Sequence, residues 1–375
     1  MLKILFIISE DWYFVSHRLA LAKSAIQVGY NVALLSRYTN HRKAIENANI
    51  ETIDWPLDRS SKNPIKELIA IISVISSIRQ FRPSIIHSVA MKPVIYSSIA
   101  SLFTGLDNRI FALAGLGFVF TSNKSYAKIL RPFLKVIFSL LFKGKKTKLI
   151  LQNPDDQRQL LSEGVINPKN IRLIRGAGVD TKTFSFKTIP SNMPIIILPS
   201  RMLWSKGIQD FIDCAKVINI DNIMARFVLV GTPDDQNPDS ISTQLLTEWH
   251  KDGVIEWWEF QSDMPNVFHQ STIVCLPTTY GEGLPKSLLE AASCGRPIVA
   301  YDVPGCREIV KDGYNGYLVQ PKSIDGLVEA IILLINNYKL CVQMGKDGRK
   351  LVKKYFTQEK IAQETMAVWD EVLAS

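Results

Sequence analysis

Two kinds of apolar pattern alternate along the chain. Short runs are almost wholly hydrophobic: KILFII (3–8), NVALLS (31–36), SIIHSV (84–89), RIFALAG (109–115) and KLILQN (148–153). Runs of that length and evenness read as strands buried on both faces. Between them stand longer segments with helical spacing: SHRLALAKSAIQVG closing at Gly29, PIKELIAIISVISSIRQFRP stopped by Pro83, and PVIYSSIASLFTG. After GVDTKTF (178–184) the stretch SFKTIPSNMP (185–194) loses periodicity and reads as a linker. The alternation then resumes with PIIILPS, SKGIQDFIDCAKVI, ARFVLVG, TIVCLPT, LPKSLLEAASCG, PIVAYD and SIDGLVEAIILLINN. Strands alternating with helices imply parallel pairing through right-handed crossovers, hence two doubly wound Rossmann-like α/β domains, 1–183 and 184–355. Such domains bind ligands beyond the carboxyl ends of their strands, so a cleft between two facing sheets is the expected site.

Composition changes this picture little. At 375 residues and 47% hydrophobic, the chain is long enough for two packed cores. The opening MLKILFII is cut short by Ser9, Glu10 and Asp11, which favours a first strand over a signal peptide. Other apolar runs fall short of the ~20 residues a membrane span needs, so a soluble or peripheral protein is expected. Five cysteines without a CxxC pair read as reduced structural thiols.

Charge adds more. Residues 1–180 carry 25 Lys/Arg against 12 Asp/Glu, and residues 181–375 carry 19 against 23, so a net +9 divides as +13 and −4. Residues 124–148 alone hold eight basic residues and no acid, interleaved with Phe133, Val136, Ile137, Leu140, Leu141 and Phe142. Cations beside aromatics suit an anionic membrane surface, with a solvated helix face as the plain alternative. No recognition motif accompanies the charge, so nucleic acid is not an expected partner.

Candidate chemistry gathers in GEGLPKSLLE (281–290), where Glu282 stands in the loop leaving TIVCLPT and Glu290 in the helix that Pro285 opens. Eight residues span ~12 Å even if helical, about the reach of a nucleoside diphosphate from ribose to sugar. The amides of Gly283, Leu284 and the first helical turn, with Lys286, make a seat for phosphate. Singly, Glu282 reads as a solvated loop residue and Glu290 as an exposed helix residue; but Glu290 lies in the apolar LLEAASCG, where a carboxylate needs a partner. SRMLWSKG (200–207) places Arg201 and Lys206 after another strand, two cations able to meet the same diphosphate.

GVD (178–180), SRMLWSKG, GEGLPKSLLEAASCGRPIVAYDVPGCREIV (281–310) and DGYNGYLV (312–319) resemble the retaining glycosyltransferases of family 4, which have the GT-B fold. The resemblance implies that Arg201 and Lys206 bind donor phosphates, Glu282 the transferred sugar and Glu290 the ribose. It implies no metal or other cofactor beyond the nucleotide-sugar donor, and a C-terminal helix (356–375) that packs back on the first domain. The first domain departs from the family: SEDWYFVSHR lacks the glycine pair that usually follows the first strand, which moves attention to Ser16, His17 and Arg18. FVSHRLALA, HSVAMKPVIYSSIAS and AGLGFVF resemble a bacterial branch that extends polyprenyl-diphosphate-linked saccharides. On that resemblance Ser16, His17, Arg18, His87, Lys92, Gly115 and Gly117 are candidates for the acceptor. For His17 and His87 the plain alternatives are a helix-start residue bonded to backbone and a satisfied strand-end histidine. The expected enzyme transfers a HexNAc, GalNAc first, in α linkage from a UDP-sugar at the inner face of a bacterial membrane. A GT-B sugar-nucleotide epimerase and a non-catalytic sugar-nucleotide-binding protein are the alternatives.

Overall fold

The structure, a computed structural model, describes every residue except 60, 62, 116–138, 140, 141, 143, 145, 221, 222, 280, 282 and 375. The chain forms two compact units, Met1–Gly178 with Gln358–Ser375, and Val179–Thr357.

The first unit is built on a sheet in the order β3-β2-β1-β4-β5-β6-β7, comprising β1 (Lys3–Glu10), β2 (Asn31–Arg37), β3 (Glu51–Asp54), β4 (Ile85–Val89), β5 (Arg109–Leu113), β6 (Thr147–Leu151) and β7 (Ile171–Leu173). The second sheet runs β10-β9-β8-β11-β12-β13, from β8 (Ile195–Pro199), β9 (Arg226–Val230), β10 (Glu256–Trp257), β11 (Ile273–Leu276), β12 (Ile298–Tyr301) and β13 (Gly316–Val319). Every pairing is parallel. Helices cover both faces, which is why β4, β5, β6, β8, β11 and β12 are buried at every position. The fold is the GT-B kind: two doubly wound parallel α/β domains.

SFKTIPSNMP does not behave as a free linker, because side chains of the second unit hold it down. Just before it, Arg349 donates to the carbonyls of Thr181 and Phe184, at 2.8 and 2.7 Å. The Tyr338 hydroxyl donates to Ile189 O at 2.7 Å, and the buried guanidinium of Arg296 reaches Lys187 O. Loss of periodicity here marks an irregular strap satisfied by side-chain donors. The chain's two crossings are tied to each other: Val179 N–H donates to Phe356 O at 2.9 Å, and Val179 bridges Thr357.

The last helix, Gln358–Leu373, belongs to the first unit and buries Trp369 completely, edge-on to Phe6 and Tyr30 at 6.0 and 5.9 Å. All five cysteines are buried and none is disulfide-bonded.

Candidate active site

In each sheet the strand order reverses once, between β1 and β4 and between β8 and β11. Loops leaving the carboxyl ends of such a pair run to opposite sides and open a crevice. The two stretches singled out in the second half leave β8 and β11, so the topology brings them together.

They interlock through one glycine. Gly207 has φ +77°, and a Cβ there would stand 1.9 Å from Pro277 O. Only glycine allows the Lys206 loop to lie against the loop leaving β11. Ser205 O then accepts from Thr278 Oγ1 at 3.0 Å and from Thr279 N–H at 3.1 Å. A third loop, 232–241 after β9, is stitched to the first. Arg201 Nη1 meets Asp234 Oδ2 at 2.7 Å, and Ser205 N–H donates to Asp239 Oδ2 at 2.9 Å. Arg201 stays exposed while Asp234 is largely covered. Nothing in the sequence pairing of Arg201 with Lys206 pointed to these acids. The available signal was an acid run, TPDD, leaving the strand ARFVLVG at its carboxyl end.

The helix Lys286–Ser293 starts one residue later than expected. Pro285 is its N-cap rather than its first turn, and supplies no capping side chain. The first turn holds no acid, and its first residue is Lys286. A cation at the positive end of a helix dipole is unfavourable. Lys286 Nζ reaches Glu290 Oε1 at 2.9 Å, and Lys four residues ahead of Glu is the weaker order on a helix. Glu290 is 8% exposed, among buried Leu288, Leu289, Ala291 and Ala292. Burial pushes its carboxyl above the usual range, and the ammonium of Lys286 opposes this only in part. Both features oppose the helix's own stability, and both suit an anionic ligand with hydroxyls at its start. Gly283 and Leu284 are buried beside it, while Glu282 lies outside the described residues.

On the first unit the expectations need correcting. SEDWYFVSHR is not a loop: β1 runs to Glu10 and the helix Asp11–His17 follows at once. Asp11 makes this possible, accepting from the amides of Trp12, Thr39 and His41 and the Thr39 hydroxyl at 2.8–3.0 Å. Burial would raise its pKa, but those bonds outweigh it and the carboxyl titrates below its ordinary value. Ser16 and His17 end that helix, with the His17 ring stacked on Tyr13 at 4.2 Å. Arg18 is the break before the helix Leu19–Gln27 and is 6% exposed.

His87 is not presented to a ligand. It lies within β4 at 1% exposure, stacked on Phe6 at 5.1 Å, and its Nδ1 accepts from Trp369 Nε1–H at 3.1 Å. It sits within the strand rather than at its end, and its Nε2 is buried without a hydrogen-bond partner among the described residues, so the satisfied strand-end histidine is met only at Nδ1. Lys92 is also structural, since its three donors meet Asp58 O, Ser61 O and Glu67 Oε1 at 3.3, 3.2 and 3.0 Å. Gly115 is in the turn after β5, and Gly117 lies outside the described residues. So does most of 124–148. Of its described residues, Phe142 is 3% exposed against Phe111, and Lys148 is buried in β6 with Glu371 at 2.9 Å. Neither of these two is available to a membrane.

Comparison with known proteins bears on both halves. Residues 3–153 match the family model "Glycosyl transferase 4-like", and residues 179–351 match "Glycosyl transferases group 1". The chain belongs to these glycosyl transferases. Among relatives of this glycosyltransferase is the N,N'-diacetylbacillosaminyl-diphospho-undecaprenol alpha-1,3-N-acetylgalactosaminyltransferase of Campylobacter jejuni, 26% identical over 346 residues and 89% of each chain. Another is the UDP-Gal:alpha-D-GlcNAc-diphosphoundecaprenol alpha-1,3-galactosyltransferase of Escherichia coli, 24% identical over 78% of this chain and 76% of that one. Solved structures with the same fold include a glycosyltransferase from Rickettsia africae, with TM-score 0.80 and 19% identity over 99% of each chain. Anabaena HepE in complex with UDP superposes with TM-score 0.77 at 18% identity, over 98% of this chain and 100% of that one.

The loops that the glycosyltransferase builds at its second strand reversal are those the group 1 model covers. Among the described residues, no cluster of His, Cys, Asp and Glu is placed to hold a metal, and no single helix is long and apolar enough to cross a membrane.

Proposed function

We propose that this glycosyltransferase moves a HexNAc, GalNAc by preference, from a UDP-sugar to a polyprenyl-diphosphate-linked saccharide, with retention of the α configuration. The observation that carries the donor half is the contact of Gly207 with Pro277, which draws Lys206 and the loop before Lys286–Ser293 to one crevice. The acceptor half is supported by two relatives whose names specify α-1,3 transfer to sugars on diphospho-undecaprenol.

The donor diphosphate lies across the start of Lys286–Ser293, against the backbone of Gly283, Leu284 and Pro285. Arg201 and Lys206 take the phosphate charge, Glu290 the ribose hydroxyls and Glu282 the transferred sugar. As the anomeric C–O bond breaks, negative charge grows on the leaving phosphate oxygen, and preorganised cations act most strongly there. That oxygen accepts the proton of the incoming hydroxyl, whose oxygen bonds the anomeric carbon on the same face. Arg201 leans from Asp234 toward the phosphates as they arrive. No resident cofactor enters this scheme. Ser16, His17 and Arg18 are the acceptor candidates that remain on the first unit with Gly115 and Gly117. The enzyme works at the inner face of the cell membrane, where its acceptor lies.

The test is sugar-nucleotide turnover with and without membrane extracts containing polyprenyl-linked glycans, followed by the anomeric configuration of the product. Transfer only with extract supports the reading. Conversion of the sugar nucleotide alone identifies an epimerase, and tight binding without turnover identifies a binding protein.

A further inference from the structure

The helix Pro64–Phe81 is apolar on two sides. Its inner side buries Ala70, Val74, Ile78 and Phe81 against the first sheet. Its outer side carries Ile65, Leu68, Ile69 and Ile72, at 68, 57, 48 and 54% exposure. Positions i, i+3, i+4 and i+7 fall on one stripe. The neighbouring helix Met91–Thr104 extends the surface. Lys92 pairs with Glu67 at 3.0 Å near the start of both helices, and Arg79 Nη2 donates to Phe103 O at 3.3 Å near their ends. Leu102 and Phe103, at 77 and 63% exposure, therefore stand beside the last turns of Pro64–Phe81. Single exposed aliphatics are ordinary, but four on one stripe, with Leu102 and Phe103 farther along beside Arg79, mark a surface that something covers.

Charge decides what covers it. Residues 58–82 contain five basic residues and two acids, Asp58 and Glu67, which pair with Lys66 and Lys92. Lys66 is exposed near the start of the stripe, with Asp58 at 3.3 Å, and Arg79 and Arg82 are exposed at the other end. A second copy of this face would bring like charges together. An aliphatic stripe flanked by exposed Arg79 and Arg82, in a segment of net positive charge, fits the headgroup and acyl boundary of an anionic bilayer.

We infer that the outer face of Pro64–Phe81, with Leu102 and Phe103, docks on an anionic lipid bilayer. This places the membrane contact away from Phe142 and Lys148, which the core has taken. It deepens the reading above, since a lipid-linked acceptor lies in such a bilayer, but it is read without donor or acceptor. Failure of transfer and failure of docking are thus separate results.

The experiment is sedimentation of the full chain with vesicles of phosphatidylcholine, alone or mixed with phosphatidylglycerol, over a salt series. The wild type should pellet with the mixed vesicles at low salt and progressively less as salt rises. Replacing Ile65, Leu68, Ile69 and Ile72 together with Gln should weaken binding by at least about tenfold at every salt. These side chains face outward, so its melting temperature should match the wild type. The separate pair Arg79→Gln with Arg82→Gln should lose about fivefold per cation at low salt and little at high salt. Equal pelleting with neutral and mixed vesicles, or wild-type binding by both variants, would overturn the inference. So would a shift of the Gln variant from dimer to monomer by light scattering, which would give the face to a second copy.

Discussion

At the scale of single residues, the site is written in groups that weaken the protein around them. Glu290 is the clearest case. Its carboxyl titrates above the ordinary 4.5, chiefly because it is buried. The folded state thus holds that proton more tightly than the unfolded chain. Glu290 favours folding below pH 4.5, and the benefit is lost as pH rises through the raised value. Glu290→Gln removes that loss, so relative to wild type its stability should improve with rising pH. Its affinity for donor should meanwhile fall about tenfold or more, from one lost charge-assisted hydrogen-bond pair. Melts over a pH series beside calorimetric titration of UDP-sugar check both signs. A Gln variant that unfolds at neutral pH while binding donor normally would make Glu290 a structural acid. Arg201 is tested in parallel. Its own side of the pair with Asp234 is exposed, so Arg201→Ala should cost about 1 kcal/mol or less in stability. Its kcat should fall by about 10²–10³ if it meets the leaving group. Equal losses in melting temperature and in kcat would contradict that role.

At the scale of elements, what sequence reading caught and missed divides on physical lines. Strands buried on both faces were legible because their apolar runs have no other use. β3 (ETID) and β10 (EW), by contrast, carry half-exposed or exposed residues at each position and look like loop. The loops after β8 and β11 stood out as a candidate site because their residue types are chemical: Arg, Lys, Glu, Pro and Gly at strand ends. The helix Asp11–His17 was missed because its start depends on bonds to Thr39 and His41, distant in sequence. The surroundings of His87 and Lys92 were illegible for the same reason, since Trp369 and Glu67, which bond His87 Nδ1 and Lys92 Nζ, are remote in the chain. The interlock at Gly207 is an element-scale feature with an element-scale test. Gly207→Ala must move Pro277 or change φ from +77°, and so separates the two loops. Turnover should drop by more than tenfold with KM for donor raised, while β8 and β11 keep the unit folded. A variant with normal KM would show that the loops need not touch.

At the scale of the molecule, the last sixteen-residue helix completes the core of the first unit, and His87 lies beneath it. Trp369 contributes the largest fully buried side chain of the chain's described residues, and its N–H fixes His87 Nδ1 as an acceptor. The neutral ring must then carry its proton on Nε2, which is buried without a hydrogen-bond partner among the described residues. Burial, reinforced by Arg18, holds the His87 pKa well below 6.5. The sign follows: the unfolded chain takes a proton below pH 6.5 and the folded chain does not. Folding stability contributed at neutral pH is therefore lost as pH falls from 6.5 toward the depressed value, by up to about 1.4 kcal/mol per pH unit. Trp369→Ala should cost about 3–5 kcal/mol through the cavity it leaves. It should lower the melting of the first unit while donor binding by the second unit persists. His87→Gln should flatten the acid side of the profile between pH 6.5 and 5. Paired melts of wild type and His87→Gln across that range check the origin of the slope. If the two lose stability in parallel, His87 is not its source, and the acid sensitivity belongs to carboxylates such as Asp11 and Glu371, whose pKa values the fold holds down.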